Sequence, residues 1–196
     1  MRTGRLRICV SPTVPIVLGL MILTDRTGIS LLTVAAALLH EGGHLLAARL
    51  LGIRAERMRL GFLGMRLDMG ANLLSYGQEW LLCAAGPLVS LVGAAMAAPL
   101  WGLWESARFF SCASLVLGLL NLLPIRTFDG GRMLECFLSS TLGMRASQRV
   151  MTACSFLFLF LLWATAVYFL LRVGDGLSLF CFSLSLFFRF FEGDEF

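Results

Sequence analysis

The sequence predicts an all-α membrane protein: a polytopic bundle of about six transmembrane helices with a small β-hairpin between the second and third spans. Composition is the first observation behind this prediction. Of the 196 residues, 58% are hydrophobic and only 14% are charged, and the mean hydropathy of +0.84 is far too high for a soluble domain. The second is that the apolar residues gather in runs approaching the roughly 20 helical residues that cross a bilayer.

The predicted spans differ in length and regularity. The first follows a basic N-terminus and resembles a secretory signal, but no cleavage-site pattern follows it, so we expect a retained span. Pro12 and Pro15 predict that its helix is broken or tilted. The sixth is rich in Phe, Leu and Ser and ends in an acidic tail. In chain order the six spans are 8–23, 29–51, 78–103, 109–124, 151–171 and 177–191.

Charge predicts orientation rather than a nucleic-acid partner. The formal net charge is +4, all from an excess of Arg because the chain has no Lys. A cytoplasmic N-terminus leaves only Arg26, Arg108 and Arg172 outside, which satisfies the positive-inside rule and places both termini in the cytoplasm. No polar domain carries a basic stripe, so nucleic acid is excluded as a partner. The six Cys form no C-x-x-C pair and are read as reduced thiols.

The segment 56–69, between the second and third spans, alternates polar and apolar residues. Period 2 predicts strands, and Leu63-Gly64 would close a hairpin between them. Two interpretations stay open: a passive amphipathic hairpin on the bilayer surface, or an edge that binds substrate by strand pairing.

The second predicted span carries His40-Glu-Gly-Gly-His44, the pattern H-E-x-x-H on a helix. Residues four apart share one helix face, so the two imidazoles can bind one zinc ion at about 2.0–2.1 Å each. Glu41 lies one step around the helix, where it can reach a water molecule as general base without ligating the metal. Gly42 and Gly43 remove side chains beside the metal, which would let backbone or substrate approach.

Chance is a weak explanation of this motif. His40 and His44 are the only two His in the chain, and two randomly placed His would stand four apart in about 1% of such sequences. Both lie inside an apolar run, where an ionisable residue costs about 2.5–3.5 kcal/mol and marks a functional site. The motif therefore predicts a metal site within the membrane domain.

A catalytic zinc site needs a third protein ligand, which here must be an acid or a Cys because no further His exists. Asp129 is the candidate. Pro124 ends the fourth span, and Gly130-Gly131 lets the backbone turn back towards the metal. The alternative is that Asp-Gly-Gly is an ordinary cytoplasmic turn before a short helix beginning near Met133.

Together the two motifs resemble the two signatures of the site-2 proteases, which are intramembrane zinc metalloproteases of the M50 type. The resemblance covers about residues 29–135, and the short six-span plan is most similar to the branch of the sporulation protease that processes a sigma-factor precursor. The motifs that carry it are His40-Glu-Gly-Gly-His44 and Asn121-x-x-Pro124-x-x-x-x-Asp129-Gly130.

The resemblance implies roles for individual residues. His40, His44 and Asp129 would bind Zn²⁺, Glu41 would activate water, and Asn121 would stabilise the oxyanion or position substrate. The implied activity is zinc-dependent cleavage of a membrane-associated protein, such as a transcription-factor precursor. The implied partners are that substrate, a regulatory membrane protein and the lipid bilayer of the cell membrane.

Two elements depart from the family pattern. Ala84-Ala-Gly-Pro-Leu88 matches a glycine-proline element of the family, but Ser90 stands where an Asn is often found. Arg126-Thr-Phe128 replaces a Pro-rich approach to Asp129, which changes the stiffness of the loop and not its ligand.

The domain prediction is one intramembrane metalloprotease domain over residues 1–196, with a core at 29–135 and additional C-terminal spans at 151–191. No PDZ or CBS domain is expected, so substrate recognition would rest on the membrane domain or on a partner protein.

Two other function classes compete with the protease. A metal-ion transporter also places His and Asp inside spans, but it would need further ligand stations along a pathway. A non-catalytic membrane scaffold could keep the fold, but metal binding alone would not need Glu41 beside both His.

Overall fold

The computed structural model describes residues 7–10, 19, 23, 25, 27–53, 57–61, 64–68, 74–174 and 177–192. These residues form two compact units, Met1–Leu122 and Leu123–Phe196, called here the N-terminal and C-terminal units. The elements in chain order are β1 (Arg7–Val10), α1 (Ile29–Leu50), β2 (Arg57–Gly61), β3 (Gly64–Asp68), α2 (Tyr76–Ala97), α3 (Glu105–Asn121), α4 (Asp129–Leu142), α5 (Met144–Val173) and α6 (Leu177–Glu192).

The strands of the N-terminal unit form one sheet in the order β1-β2-β3. β2 pairs antiparallel with β3, from Arg57 opposite Asp68 to Gly61 opposite Gly64, and parallel with β1. β2 is therefore the central strand, and β3 has a neighbour on one side only among the described strands. Residues 62 and 63, where the predicted hairpin would close, lie outside the described residues.

The prediction of a helical span beginning at residue 8 is wrong at its start. Residues 8–10 belong to β1 and pair with residues 58–60 of β2. Ile8 and Val10 are β-branched and favour strands, and Pro12 and Pro15 follow too closely for a regular helix to begin there. Most of the remaining predicted span lies outside the described residues.

Asp25 caps the start of α1. Its carboxylate accepts hydrogen bonds from the Thr27 hydroxyl and N–H groups of Thr27, Gly28 and Ser30, at 2.6–3.1 Å. The hydrogen bond from the Thr27 side chain, followed by those from the backbone, holds the pKa of this carboxyl well below its usual range. Gly28 adopts the left-handed conformation that lets the chain enter the helix.

Helices α1, α2 and α3 pack together in the N-terminal unit. Small residues allow close approach, as in membrane helix pairs: a Cβ on Gly43 of α1 would lie 2.7 Å from the Ala85 carbonyl oxygen of α2. The Ser111 hydroxyl of α3 donates to the Ala94 carbonyl oxygen at 2.7 Å. α2 begins with a capping box in which Ser75 and Gln78 satisfy each other's backbone N–H groups.

The C-terminal unit contains α4, α5 and α6. The Ser139 and Ser147 hydroxyls bond at 3.0 Å and join α4 to α5. Phe156 of α5 contacts Phe187 and Phe190 of α6, with ring centroids 6.4 and 6.2 Å apart. The predicted helix after Gly131 is present, but it begins at Asp129 rather than near Met133.

Three described helical segments are long and apolar enough to cross a membrane: Ile29–Leu50, Tyr76–Leu100 and Met144–Arg172. They coincide with the second, third and fifth predicted spans. The fourth and sixth predicted spans are also helices, but α3 has 17 residues and α6 has 16. The chain is thus a helical, multi-pass membrane protein.

Candidate metal centre

The two imidazoles of α1 lie side by side in the interior of the N-terminal unit. His40 and His44 are 4% and 9% exposed, and their Nε2 atoms are 3.3 Å apart. Two nitrogen ligands of a tetrahedral zinc ion, each at about 2.0–2.1 Å, are also separated by roughly 3.3 Å. The pair therefore fits one shared zinc ion without rearrangement.

Second partners fix the orientation of both rings. His44 Nδ1 lies 2.8 Å from the Leu82 carbonyl oxygen, which can only accept, so Nδ1 carries the proton and the Nε2 lone pair remains for a metal. His40 Nδ1 lies 2.9 Å from the Ser90 hydroxyl, whose oxygen can accept in the same way. Ser90 is thus the hydrogen-bond partner of His40.

Gly86 of α2 leaves open the space beside both Nε2 atoms. A Cβ at this position would overlap His44 Nε2 and would come within 2.8 Å of His40 Nε2. Pro87, the next residue, is buried inside α2, and an internal proline opens the preceding helical turn because it lacks an N–H. Leu82, five residues before Pro87, offers its carbonyl oxygen to His44.

The two glycines between the His residues have different surroundings. Gly42 is exposed and a Cβ there would meet no atom within 4 Å, as expected for a residue that leaves the flank open. Gly43 is buried against α2, so its small size serves helix packing rather than access to the metal. Glu41, between His40 and Gly42, is half-buried.

The C-terminal unit carries the third predicted ligand. Asp129 is the first residue of α4, where a carboxylate is favoured by the helix dipole. It is half-buried, and Gly130 and Gly131 behind it are buried. His40, His44 and Asp129 are residue types that bind metals, and two neutral nitrogens and one carboxylate are a donor set that suits zinc.

Asn121 is the last residue of α3. Its side-chain amide nitrogen donates to the Leu117 carbonyl oxygen of the same helix at 3.0 Å. This hydrogen bond fixes the direction of the Asn121 side chain. It does not by itself indicate a chemical role for the side chain.

Reasoning from the sequence did not assign Leu82 or Gly86 to the site, and it left Ser90 without a partner. Part of the signal was present, since Gly86 and Ser90 are four residues apart and share one face of α2. That this face meets His40 and His44 depends on how α1 packs against α2, which the local pattern does not encode.

Comparison with known proteins gives three similarities. The family model "Peptidase family M50" matches residues 72–165. Rip3, a predicted zinc metalloprotease of Mycobacterium tuberculosis, is 31% identical over 121 residues in each of two strains, which is 57% of this chain. The match spans only 31% of the length of those relatives.

A solved structure shows the same fold. The site-2 protease from Methanocaldococcus jannaschii superimposes with a TM-score of 0.67, covering 100% of this chain and 94% of the other at 23% identity. The sequence match includes the segment that carries Gly86, Ser90 and Asp129. This chain is therefore similar to peptidase family M50 over residues 72–165 and has the fold of a site-2 protease.

Proposed function

We propose that this protein is a zinc-dependent endopeptidase that cleaves a membrane-associated protein substrate. The observation that carries the proposal is the buried His40–His44 pair, whose facing Nε2 atoms have the separation of two ligands on one zinc ion. The family match and the relatives named as zinc metalloproteases support the same chemistry.

In this proposal, His40, His44 and Asp129 hold the zinc ion, and Glu41 is the general base. Zinc, when bound, would polarise the scissile carbonyl and make water more acidic. Glu41 neighbours His40 in sequence and is half-buried, and in this role it would take the proton of the attacking water and return it to the leaving amine. Asn121 has the donor and acceptor groups needed to stabilise the oxyanion or to position substrate.

The substrate is held in an extended form, because a helix hides its scissile carbonyls in backbone hydrogen bonds. Among the described strands, β3 has a partner on one side only, so its second edge is suited to pairing with a substrate strand. β2, the central strand of the sheet, begins seven residues after the end of α1, the helix that carries the His40–His44 pair. The unpaired side of β3 and the short connection from α1 to β2 favour strand addition by a substrate over a passive surface hairpin.

The finer assignments follow the family resemblance and the charge pattern. The substrate is a membrane-associated transcription-factor precursor, as in the sporulation branch, and a regulatory membrane protein controls access to it. Both termini lie in the cytoplasm. A transporter would need more ligand stations, whereas the described residues contain one group of three potential metal ligands.

Glu41→Gln tests the proposal. This variant keeps the size of the side chain and loses its capacity to accept a proton, so it should bind zinc normally and lose cleavage. Co-expression with tagged, membrane-tethered transcription-factor precursors, followed by immunoblotting, would compare it with the wild type. Glu105→Gln is the matched control, since Glu105 is an exposed residue of α3 paired with Arg108. Wild-type cleavage by Glu41→Gln would overturn the assignment.

A further inference from the structure

We propose that Ser155 of α5 is a positioning residue that fixes the loop carrying Asp129. The inference rests on the proposed role of Asp129 as a zinc ligand. It concerns residues of the C-terminal unit alone: the loop Leu123–Phe128, the first turn of α4 and one buried hydroxyl of α5.

The contact is a single tertiary hydrogen bond. The Arg126 backbone N–H donates to Ser155 Oγ at 3.0 Å, and Ser155 is 1% exposed. The bond joins α5 to the loop three residues before Asp129. The bond is partly buried, and a backbone N–H that loses its acceptor there is destabilising, so the bond holds the loop against α5.

Sequence explains why this N–H needs an acceptor. Between Pro124 and Asp129 the loop has no proline, and the acid is preceded by Arg126-Thr-Phe128. Proline has a fixed φ and no N–H, so it stiffens a loop without needing an acceptor. Arg126 lacks that constraint and adds a donor. The Ser155 hydroxyl satisfies the donor and supplies the stiffness through a tertiary contact instead.

The loop has little freedom between the Ser155 contact and Asp129. Ile125 and Phe128 are 2% and 6% exposed, and the Phe128 N–H donates to the Ile125 carbonyl oxygen at 2.8 Å. A Cβ on Gly131 would overlap that same carbonyl group, so the loop lies directly against the first turn of α4. A displacement at Arg126 must therefore move Ile125 and, through it, the start of α4.

Ser155 lies one step further out than the partners that hydrogen-bond directly to metal ligands in other proteins, because it holds the backbone of Arg126 rather than Asp129 itself. Such partners do not touch the metal, yet their removal lowers metal affinity about 10–100-fold. Ser155→Ala should accordingly lower zinc affinity about tenfold. A general packing role would instead lower thermal stability without a selective effect on zinc.

Zinc competition with a chromogenic chelator on the detergent-purified full chain is the test. The matched control is Ser183→Ala. Ser183 is equally buried in α6, but within the described residues its hydroxyl donates to the Phe180 carbonyl oxygen of its own helix. Because alanine could destabilise α5, Ser155→Thr and Ser155→Val form a second pair of similar shape, in which only Thr keeps the hydroxyl. We expect Thr to retain more zinc affinity than Val, with Ser183→Ala unchanged.

A double-mutant cycle with Asp129→Ala decides whether Ser155 acts through the ligand. If it does, Ser155→Ala has no further effect once Asp129 is removed. Equal losses in both backgrounds, or no loss in either, would overturn the positioning role while leaving Asp129 as a ligand. Undiminished zinc affinity in Asp129→Ala alone would instead reject the ligand itself, and with it this inference.

Discussion

At the scale of single residues, the candidate metal centre depends on a glycine that lacks a Cβ atom as well as on the side chains that could bind the metal. Gly86 has no Cβ, and this leaves space beside the Nε2 atoms of His40 and His44. Ser90, one turn further along α2, holds His40 from the opposite ring nitrogen. One helix face thus both orients the ligands and leaves room for the metal.

Gly86→Ala should abolish zinc binding while the protein still folds. The added methyl group would occupy the space next to both Nε2 atoms, and alanine is otherwise the better helix former by about 1 kcal/mol. Atomic absorption on the purified variant would report zinc content, and circular dichroism would report helicity. Gly77→Ala is the control, because a Cβ there meets no atom within 4 Å. A zinc-replete Gly86→Ala variant would contradict the location of the site.

Asp25 predicts an acid-dependent contribution to the stability of the N-terminal unit. Hydrogen bonds depress the pKa of its folded-state carboxyl, so its stabilisation is present above the unfolded value of about 3.9 and disappears as the pH falls through the lower folded value. Between pH 5 and pH 2, the Tm of the wild type should decline more steeply with falling pH than the Tm of Asp25→Asn. If the Tm of both proteins falls equally with pH, the Asp25 cap makes no measurable contribution to stability.

At the scale of elements, the strand order of the sheet determines how a substitution at Leu60 is interpreted. Leu60 lies in β2, which is paired on both sides, so a proline there removes a ladder donor inside the sheet rather than at its edge. We expect Leu60→Pro to impair cleavage and leave zinc content intact, with Leu60→Ala close to wild type. Cleavage and zinc assays on both variants would measure this. Equal losses of cleavage in the two variants would mean that cleavage depends on the Leu60 side chain and not on backbone pairing within the sheet.

The sequence predicted those elements whose signal is local. H-E-x-x-H in an apolar run identified α1 and the pair His40–His44, which the structure brings together, and the long apolar runs identified α2 and α5. It did not predict β1, because Ile8-Cys9-Val10 is apolar enough to be read as the start of a span until its pairing with β2 is known. Ser155 was missed for the same physical reason. Its partner Arg126 lies 29 residues away, and nothing in the intervening residues encodes that contact.

At the scale of the whole molecule, membrane orientation can be argued from α2 and its flanking charges. Tyr76 and Trp80 near one end, and Trp101 and Trp104 beyond the other, are 41–60% exposed, as in the aromatic belts at membrane interfaces. Trp80 and Trp101 are 21 residues apart, or about 31 Å at 1.5 Å per helical residue, which matches a hydrocarbon core of about 30 Å.

Charge then gives the direction of that crossing. The connection before α2 carries Arg54, Arg57, Arg59 and Arg66, whereas residues 101–104 carry no charge. Reporters fused near residues 60 and 140 should therefore be cytoplasmic, and one near residue 105 should be outside. Alkaline phosphatase and fluorescent-protein fusions would measure both sides, and replacing these four Arg with Gln should weaken the bias. Since α2 crosses once, residues 60 and 105 must report opposite sides. A shared side would refute α2 as a span, whereas an exchange of sides would refute only the cytoplasmic placement of the sheet.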